Sequence, residues 1–384
     1  MANTLTEAIP LITAQTLKVL RENCVMPRLV NTSYSREAAF KGKTIEIPLT
    51  NTLTTRPVIP GAVSPDSGMN NIIPTNQTLT LDQWHEAPFR MTDAELKEIV
   101  DGFDSEVLQE AVRAIANKVD QDILGLYKKV SNFVGTAGTT PFGTSLVEAS
   151  EALRIIKSNK APSNERYLVV DPFAEANLMG VPVIQKVNES GSSQALRTGE
   201  LEGYQALGFT IHQDQNVGFH NTAATGTYAI DAIAAVGATT IEVDNGAGAV
   251  PTASLVVGDK FTIAGSTTQH TVTAVAAGSP ANADTYTIYP ALDDAKADGD
   301  LLTVVSTDYV YNMAFHRDAF AFASRPLLDV EVTGGGIISI ISDPVSRLNL
   351  RFEVAREHKQ TVFSIDILYG ITVLRPELAV VLMG

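Results

Sequence analysis

Cysteine and basic residues are scarce in this 384-residue chain, and each scarcity removes a class of function. Cys24 is the only cysteine, so an intrachain disulfide and a cysteine-based zinc site are both excluded. Residues 222–308 contain no arginine and only Lys260 and Lys296 against ten carboxylates, a net charge of −8. The whole chain carries −15, which argues against tight nonspecific binding of nucleic acid.

Long apolar runs and targeting signals are also missing. No window approaches the roughly 20 apolar residues that a membrane-spanning helix needs. The first residues show no basic region followed by an apolar core, as a secretion signal would. We therefore expect folding in a reducing cytoplasm and no membrane partner. The 45% hydrophobic content is typical of a globular chain.

Motifs that carry catalysis are not found. Gly42-Lys43-Thr44 resembles the end of a phosphate-binding loop, but it precedes a strand where such a loop needs a helix. The six histidines include no i,i+4 pair. His212 and His220 could meet a carboxylate such as Asp214, and we interpret them as polar loop residues. The sequence predicts no enzyme activity, no cofactor and no metal site.

A group of aspartates raises one metal alternative. Asp293, Asp294, Asp298 and Asp300 are oxygen ligands of the kind that calcium prefers. Their spacing is not that of an EF-hand, so a solvated turn is favoured.

The acidic stretch reads as a small β-domain. Its short apolar segments are separated by Gly, Pro, Ala and Asp, as in an antiparallel barrel or sandwich. They predict strands at 239–243, 260–264, 270–275, 285–289 and 301–305. A helix-bearing pattern resumes at Tyr309, so the β-domain is predicted to be an insertion in a host domain.

The first 90 residues read as an arm followed by a hairpin. Pro10 can open a short helix that Pro27 prevents from continuing far. Because an isolated short helix is marginal in water, the arm is expected to pack on another subunit or another domain. Residues 43–49 and 77–84 alternate with period two and predict a hairpin. The loop between them, 51–76, favours a partner-binding role over a floppy surface loop.

A long amphipathic helix follows the hairpin. The pattern predicts about 25 residues and roughly 37 Å. Its apolar face carries Val107, Ala111, Ile115, Val119 and Ile123. Its polar face carries Gln109, Arg113, Asn117, Asp120 and Lys128. A second helix is predicted at 145–158, and strands at 167–171, 209–212, 308–315 and 319–323. Strands at 348–354, 361–373 and 378–382 are expected to close one antiparallel sheet.

The order of these parts resembles the tailed-phage major capsid proteins of the HK97-type fold. It is most similar to the subgroup of the phage P22 coat protein, which adds an inserted β-barrel. Local stretches carry the resemblance: GDKFTIAG at 258–265, FHRDAF at 315–320 with SRPL at 324–327, and LYGI at 368–371 followed by LRPE at 374–377. No motif places the Lys–Asn crosslink of some HK97-type shells in this chain.

The resemblance implies an α+β fold with an N-terminal arm, an extended β-hairpin loop, a long spine helix, peripheral and axial domains, and an inserted all-β barrel. The implied divisions are 1–40 (arm), 41–90 (hairpin loop), 91–165 (peripheral domain with the spine), 166–221 (axial domain, first part), 222–308 (barrel) and 309–384 (return through the axial and peripheral domains). Glycines at 102 and 334–336 are expected to act as hinges.

The resemblance also implies a function. The chain would self-assemble as hexamers and pentamers into the icosahedral head of a tailed phage, in the host bacterial cytoplasm. A scaffolding protein and a portal are expected partners, with weak or no specific contact with the packaged double-stranded DNA. Candidate intersubunit contacts are Arg28, Arg36, Arg56, Asp66 and Trp84, although Trp84 is first interpreted as a packing anchor.

Three alternatives stay open at this point. An encapsulin-like compartment would share the fold. A surface carbohydrate-binding protein would use the β-domain, but it would need a secretion signal. An enzyme would need a paired acid and base near Asp293.

Overall fold

The computed structural model describes residues 24–34, 43–49, 55, 75–94, 105–143, 145–186, 197, 199–223, 226–251, 253–276, 283–327, 337–342 and 347–384. The predicted arm helix, most of the 51–76 loop and the glycines at 102 and 334–336 lie outside these residues. The described helices are α1 (Met26–Leu29), α2 (Ser105–Leu124), α3 (Val147–Ser158), α4 (Pro172–Gly180) and α5 (Pro182–Gln185). None of them is long and apolar enough to cross a membrane.

The described strands outnumber the helices, as expected for an α+β fold. The first ten are β1 (Thr44–Leu49), β2 (Thr75–Thr80), β3 (Gln83–Thr92), β4 (Phe133–Gly135), β5 (Arg166–Val170), β6 (Tyr204–Ala206), β7 (Phe209–Gln213), β8 (Phe219–His220), β9 (Tyr228–Ile230) and β10 (Thr240–Asp244). The others are β11 (Lys260–Ile263), β12 (Gln269–Ala276), β13 (Asp284–Tyr289), β14 (Leu301–Val304), β15 (Tyr309–His316), β16 (Phe320–Arg325), β17 (Ile337–Ser342), β18 (Asn349–Glu357), β19 (Gln360–Val373) and β20 (Ala379–Met383).

Two sheets form the host part of the molecule. A mixed sheet has the order β4-β20-β15-β5-β7-β6, with β8 also paired to β15. An antiparallel sheet has the order β16-β19-β18-β17, with β3 added along β19. The expectation that the last three strands close one sheet is wrong, because β20 joins the mixed sheet between β15 and β4. All five residues of β20 are buried, as expected for a central strand covered on both faces.

The spine helix α2 packs across the main core. Its 20 residues span about 30 Å at 1.5 Å per residue, less than predicted, because the chain tightens into a 3-10 turn at Gly125–Lys129. Ile115, Val119 and Ile123 are buried, as the apolar stripe predicts, whereas Val107 is 38% exposed. The helix therefore buries its stripe only beyond its first turn.

Residues 24–30, which we call the arm root, pack on the spine. Pro27 lies in the first turn of α1, a position where its missing N–H costs nothing. Cys24, Met26 and Val30 are fully buried in the same core as the spine. This end of the predicted arm therefore belongs to the core of its own chain.

The predicted hairpin is confirmed as an antiparallel pair of β1 and β2. Ile45, Ile47 and Leu79 are buried on one face and pack in a small separate core against Ala321 and Ala323 of β16. The small side chains on β16 let the base of the hairpin lie close to the sheet.

The acidic stretch forms a closed six-stranded barrel in the order β10-β13-β12-β11-β14-β9. All five predicted strands are present, and the sixth, β9, escaped prediction because it has only three residues. The chain enters and leaves the barrel at one place: β8 pairs with β15, and the Thr222 N–H donates to Asp308 Oδ1 at 2.8 Å. Adjacent entry and exit are the geometry of an insertion.

Candidate functional site

Two of the five predicted contact residues lie in the described part of the chain. Arg28 is exposed, and its Nε donates to the Cys24 carbonyl at 2.7 Å. Trp84 is 62% exposed, so its interpretation as an internal packing anchor is wrong. Arg36, Arg56 and Asp66 lie outside the described residues.

The exposed indole of Trp84 has a fixed orientation. Its Nε1 donates to Asp366 Oδ2 at 2.9 Å. Asp366 in turn accepts from Arg351 Nε at 3.0 Å and from Nη2 at 2.6 Å, and this carboxylate is only 3% exposed. A rigid, exposed aromatic ring beside an arginine is the kind of group that anchors protein interfaces.

Asp120 fastens the arm root to the spine. Its Oδ2 accepts from the Val25 N–H and its Oδ1 from the Met26 N–H, both at 3.1 Å. The Cys24 Sγ also donates to Oδ1, at 3.6 Å. These N–H groups precede or open α1 and have no partner within the helix. A side chain distant in sequence thus does what an N-cap residue normally does.

The placement of Asp120 on an exposed polar face was wrong, since the residue is fully buried. Burial, and then the negative charge of Asp214, raises the pKa of Asp120 well above its ordinary value. Burial and the nearby Asp120 likewise raise the pKa of the Cys24 thiol. Cys24 is therefore a poor nucleophile in this structure.

The barrel meets the host chain where the spine ends. Gln269 pairs with the backbone of Phe133 in both directions: its Oε1 accepts from the N–H at 2.8 Å, and its Nε2 donates to the carbonyl at 2.9 Å. The Thr271 hydroxyl donates to the Lys128 carbonyl at 3.0 Å. These bonds fix the rotation of the barrel on the host part.

Lys260 is a buried cation at this junction. It is fully buried, and its Nζ donates to the Tyr127 and Val130 carbonyls and to the Thr271 hydroxyl. Burial lowers its pKa to about 7, although Asp259 opposes the shift. The three acceptors offset only part of the cost of burying the charge. Lys260 therefore contributes more to the position of the barrel on the host part than to the stability of the fold.

A chain of polar side chains runs beside Lys260. Tyr127 Oη lies 2.6 Å from His220 Nδ1, and His220 Nε2 lies 2.9 Å from Asp259 Oδ1. All three residues are buried. The chain links the end of the spine to the barrel through β8.

The interpretation of His212 and His220 as polar loop residues was wrong, because they lie on β7 and β8 and each meets a carboxylate other than Asp214. His220 meets Asp259, while His212 Nδ1 lies 2.8 Å from Glu202 Oε1 near the surface. Burial raises the pKa of Glu202, but the hydrogen bonds from His212 and the Gln213 N–H, together with nearby positive charge, outweigh burial, so the pKa of Glu202 is lowered. Within the described residues, neither histidine belongs to a group that could hold a metal ion.

The aspartates of the calcium alternative have protein partners. Asp293 accepts from the hydroxyls of Ser266 and Thr268, and hydrogen bonding by Thr268 lowers the pKa of Asp293 to about 2. Asp294 pairs with Lys296 at 2.9 Å. In the described part of the chain these carboxylates form no set of three metal ligands.

Sequence reasoning missed the buried polar residues Asp120, Asp259 and Lys260 and the half-buried Gln269. For Asp120 a signal existed, because it lies three or four positions from Ala116 and Ile123, on the edge of the apolar stripe. For Lys260 none existed, because polar–apolar alternation along β11 places it outside the barrel. That outer face happens to be covered by the end of the spine.

Replacing Gln269 by alanine tests the barrel junction. It removes two hydrogen bonds to the Phe133 backbone, and we expect unfolding to become easier by about 1–3 kcal/mol. The measurement is urea unfolding followed by circular dichroism. Gln205→Ala, an exposed residue of β6, is the control and should change stability little. Equal effects of the two substitutions would contradict the role given to Gln269.

Comparison with known proteins gives one family match. Residues 76–261, which run from β2 through the spine into β11, match the family model "Phage capsid protein". None of the curated proteins matches the chain.

Solved structures add a weaker likeness. A chain from Mycobacterium phage Che8 is 16% identical, with a TM-score of 0.49 over 94% of this chain and 91% of that one. The capsid of Ralstonia phage GP4 is 7% identical, with a TM-score of 0.47 over 93% and 87%. TM-scores below 0.5 carry no part of the assignment. It is the family match over residues 76–261, a little under half of the chain, that makes this chain similar to phage capsid proteins.

Proposed function

We propose that this chain is a capsid protein, the major subunit of the icosahedral head of a tailed phage. In this role it self-assembles around the double-stranded DNA genome. The family match carries the proposal, because it includes the hairpin strand β2, the spine and the start of the barrel. The hairpin and the spine are parts of the HK97-type fold, and the barrel is the addition that the P22-like subgroup carries.

The subgroup with an inserted barrel is supported by the geometry at residues 222–308. Entry and exit of the closed barrel lie side by side at β8 and β15, and a separate apolar core fills its interior. We propose the division into an arm (1–40), a hairpin loop (41–90), a peripheral part (91–165), an axial part (166–221), the barrel (222–308) and a return segment (309–384).

Pentamers and hexamers are the proposed oligomers, with a scaffolding protein and a portal as further partners. Assembly takes place in the host cytoplasm, and the chain has no enzymatic role. The net charge of −15 keeps contact with packaged DNA weak, since like charges repel. Trp84 is a proposed anchor between subunits, and Arg28, Arg36, Arg56 and Asp66 are proposed polar contacts.

Charge reversal in the hairpin loop tests the self-assembly proposal. Arg56→Glu should lower the yield of large particles by about tenfold or more, the effect of losing roughly 1.4 kcal/mol per contact in a repeated interface. The measurement is velocity sedimentation of purified protein, alone and coexpressed with its neighbouring genes. Arg56→Lys keeps the charge and is the control. Wild-type particle yield from Arg56→Glu would remove Arg56 from the interface, and a wild-type chain that stays monomeric under both conditions would contradict the proposed function.

A further inference from the structure

Two buried carboxyl groups lie on neighbouring elements close to the arm root. Asp120 lies on the spine, and Asp214 follows β7 at its carboxyl end; they are 0% and 3% exposed. The loop that carries Asp214 packs on the same face of the spine, because Asn216 Nδ2 lies 3.3 Å from Asn117 Oδ1. Asn117 and Asp120 are three positions apart and so are neighbours on the helix.

The two carboxyls differ in their hydrogen bonds. Asp120 accepts from the Val25 and Met26 N–H groups and from Cys24. Asp214 Oδ1 accepts from the Asn216 N–H, but its buried Oδ2 has no hydrogen-bond partner among the residues that the structure describes. An unsatisfied buried carboxylate oxygen is costly, and protonation of the carboxyl lowers that cost because it removes the charge.

Charged and titratable groups of both signs surround the pair. Arg28 contributes a positive charge from the arm root, Glu202 and His212 pair with each other beside β7, and Tyr311 lies on β15. Burial raises the pKa of both Asp120 and Asp214. The negative charge of Asp214 raises the pKa of Asp120 further, and the negative charge of Glu202 acts in the same direction on the pKa of Asp214. Ionising both members of a buried carboxyl pair is unfavourable.

We propose that the pair Asp120–Asp214 makes docking of the arm root depend on pH. The arm root is held most tightly while the pair keeps a proton, and it opens more readily once both carboxyls are ionised. Asp214 is thus a positioning residue for the arm root, acting through Asp120. This inference stands apart from the proposed shell function, because it concerns contacts within one chain.

The direction of the pH effect follows from proton linkage. Because the pKa of both groups is raised in the docked state, that state binds more protons than the open state above about pH 4, the ordinary carboxyl value. The pair therefore contributes its full stabilisation of the docked arm root below that pH. This contribution is lost as pH rises through the raised pKa values of Asp120 and Asp214 in the docked state. One linked proton changes the opening equilibrium by up to about tenfold per pH unit.

Cys24 reports this opening in the unmodified chain. As the only cysteine, fully buried in the arm root, it reacts with a thiol reagent only when the arm root opens. Dividing its labelling rate in the urea-unfolded chain by the rate in the native chain, at each pH from 5 to 8, gives a protection factor and cancels the thiolate dependence. We expect protection to fall as pH rises, by up to about tenfold per unit.

Three variants separate the pair from other causes. Asp214→Asn should make protection independent of pH and higher than wild type at pH 8. Asp120→Asn should also remove the pH dependence, but with lower protection, because an amide is a weaker acceptor for the arm root. Asp318→Asn alters an exposed carboxylate that accepts from Asn31 at 2.8 Å and should keep the wild-type slope. A pH-independent wild type, or a wild-type slope in folded Asp214→Asn, would overturn the proposal.

Discussion

Replacing His220 by alanine should destabilise the chain by about 3 kcal/mol or more, because it leaves a buried carboxylate without one of its hydrogen-bond partners. His220 is 4% exposed and Asp259 is fully buried. Without the imidazole, the Asp259 carboxylate keeps, among the residues that the structure describes, the N–H donors of Val256 and Ala223, and Tyr127 Oη loses its contact with His220. Urea unfolding of the dissociated subunit, followed by circular dichroism, gives the free energy of unfolding.

His212→Ala is a matched control for this prediction. This substitution also removes the histidine partner of a carboxylate. Because the Glu202 side chain is 51% exposed, water replaces the lost partner. Exposed pairs contribute about 0–1 kcal/mol. If the two histidine substitutions cost the same, the chain Tyr127–His220–Asp259 does not hold the barrel on the spine.

Replacing Gly370 by alanine should destabilise the chain by about 1–3 kcal/mol or more, because an added methyl group overpacks a close backbone contact. A Cβ at Gly370 would lie 2.3 Å from the Thr80 carbonyl oxygen and 2.9 Å from its carbon. These atoms belong to the backbone at the base of the hairpin, which has no side-chain rotamer to adjust. The LYGI stretch at 368–371 thus has a physical reason for its glycine: β19 passes directly under the hairpin.

Gly125→Ala is the control for Gly370→Ala, since no heavy atom lies within 4 Å of the Cβ position at Gly125. It should leave stability unchanged or raise it slightly. Thermal unfolding of both variants tests the difference. A melting temperature for Gly370→Ala as high as that for Gly125→Ala would show that the hairpin base can move away from β19.

Sequence periodicity predicted the elements that bury one face and expose the other. The hairpin strands alternate, so their pairing could be predicted from the sequence. Five barrel strands were predicted from short apolar segments between turn residues, but their order around the barrel was not. The sixth barrel strand, β9, is too short to show a pattern, and β20 is apolar throughout, so its sheet could not be assigned from periodicity. Prediction failed where three-dimensional neighbours, rather than local pattern, decide the structure.

The polar contacts illustrate this limit. Asp120 bonds to residues 94 and 95 positions away, and Lys260 to carbonyls 130 and 133 positions away. No spacing rule connects such distant residues. Asp120 was assigned to the polar face of its helix because polar side chains are usually outside, and no contact was predicted for Lys260. The prediction for Trp84 was wrong in the opposite direction. Its large ring suggested burial, whereas the hydrogen bond from its indole N–H to Asp366 holds the ring at the surface.

The most direct test of the capsid assignment is electron microscopy of the purified protein, alone and coexpressed with its neighbouring genes. We predict closed icosahedral shells, or rings of five and six subunits, with a barrel visible on every subunit beside the end of the spine. A uniform population of monomers under both conditions would contradict the account.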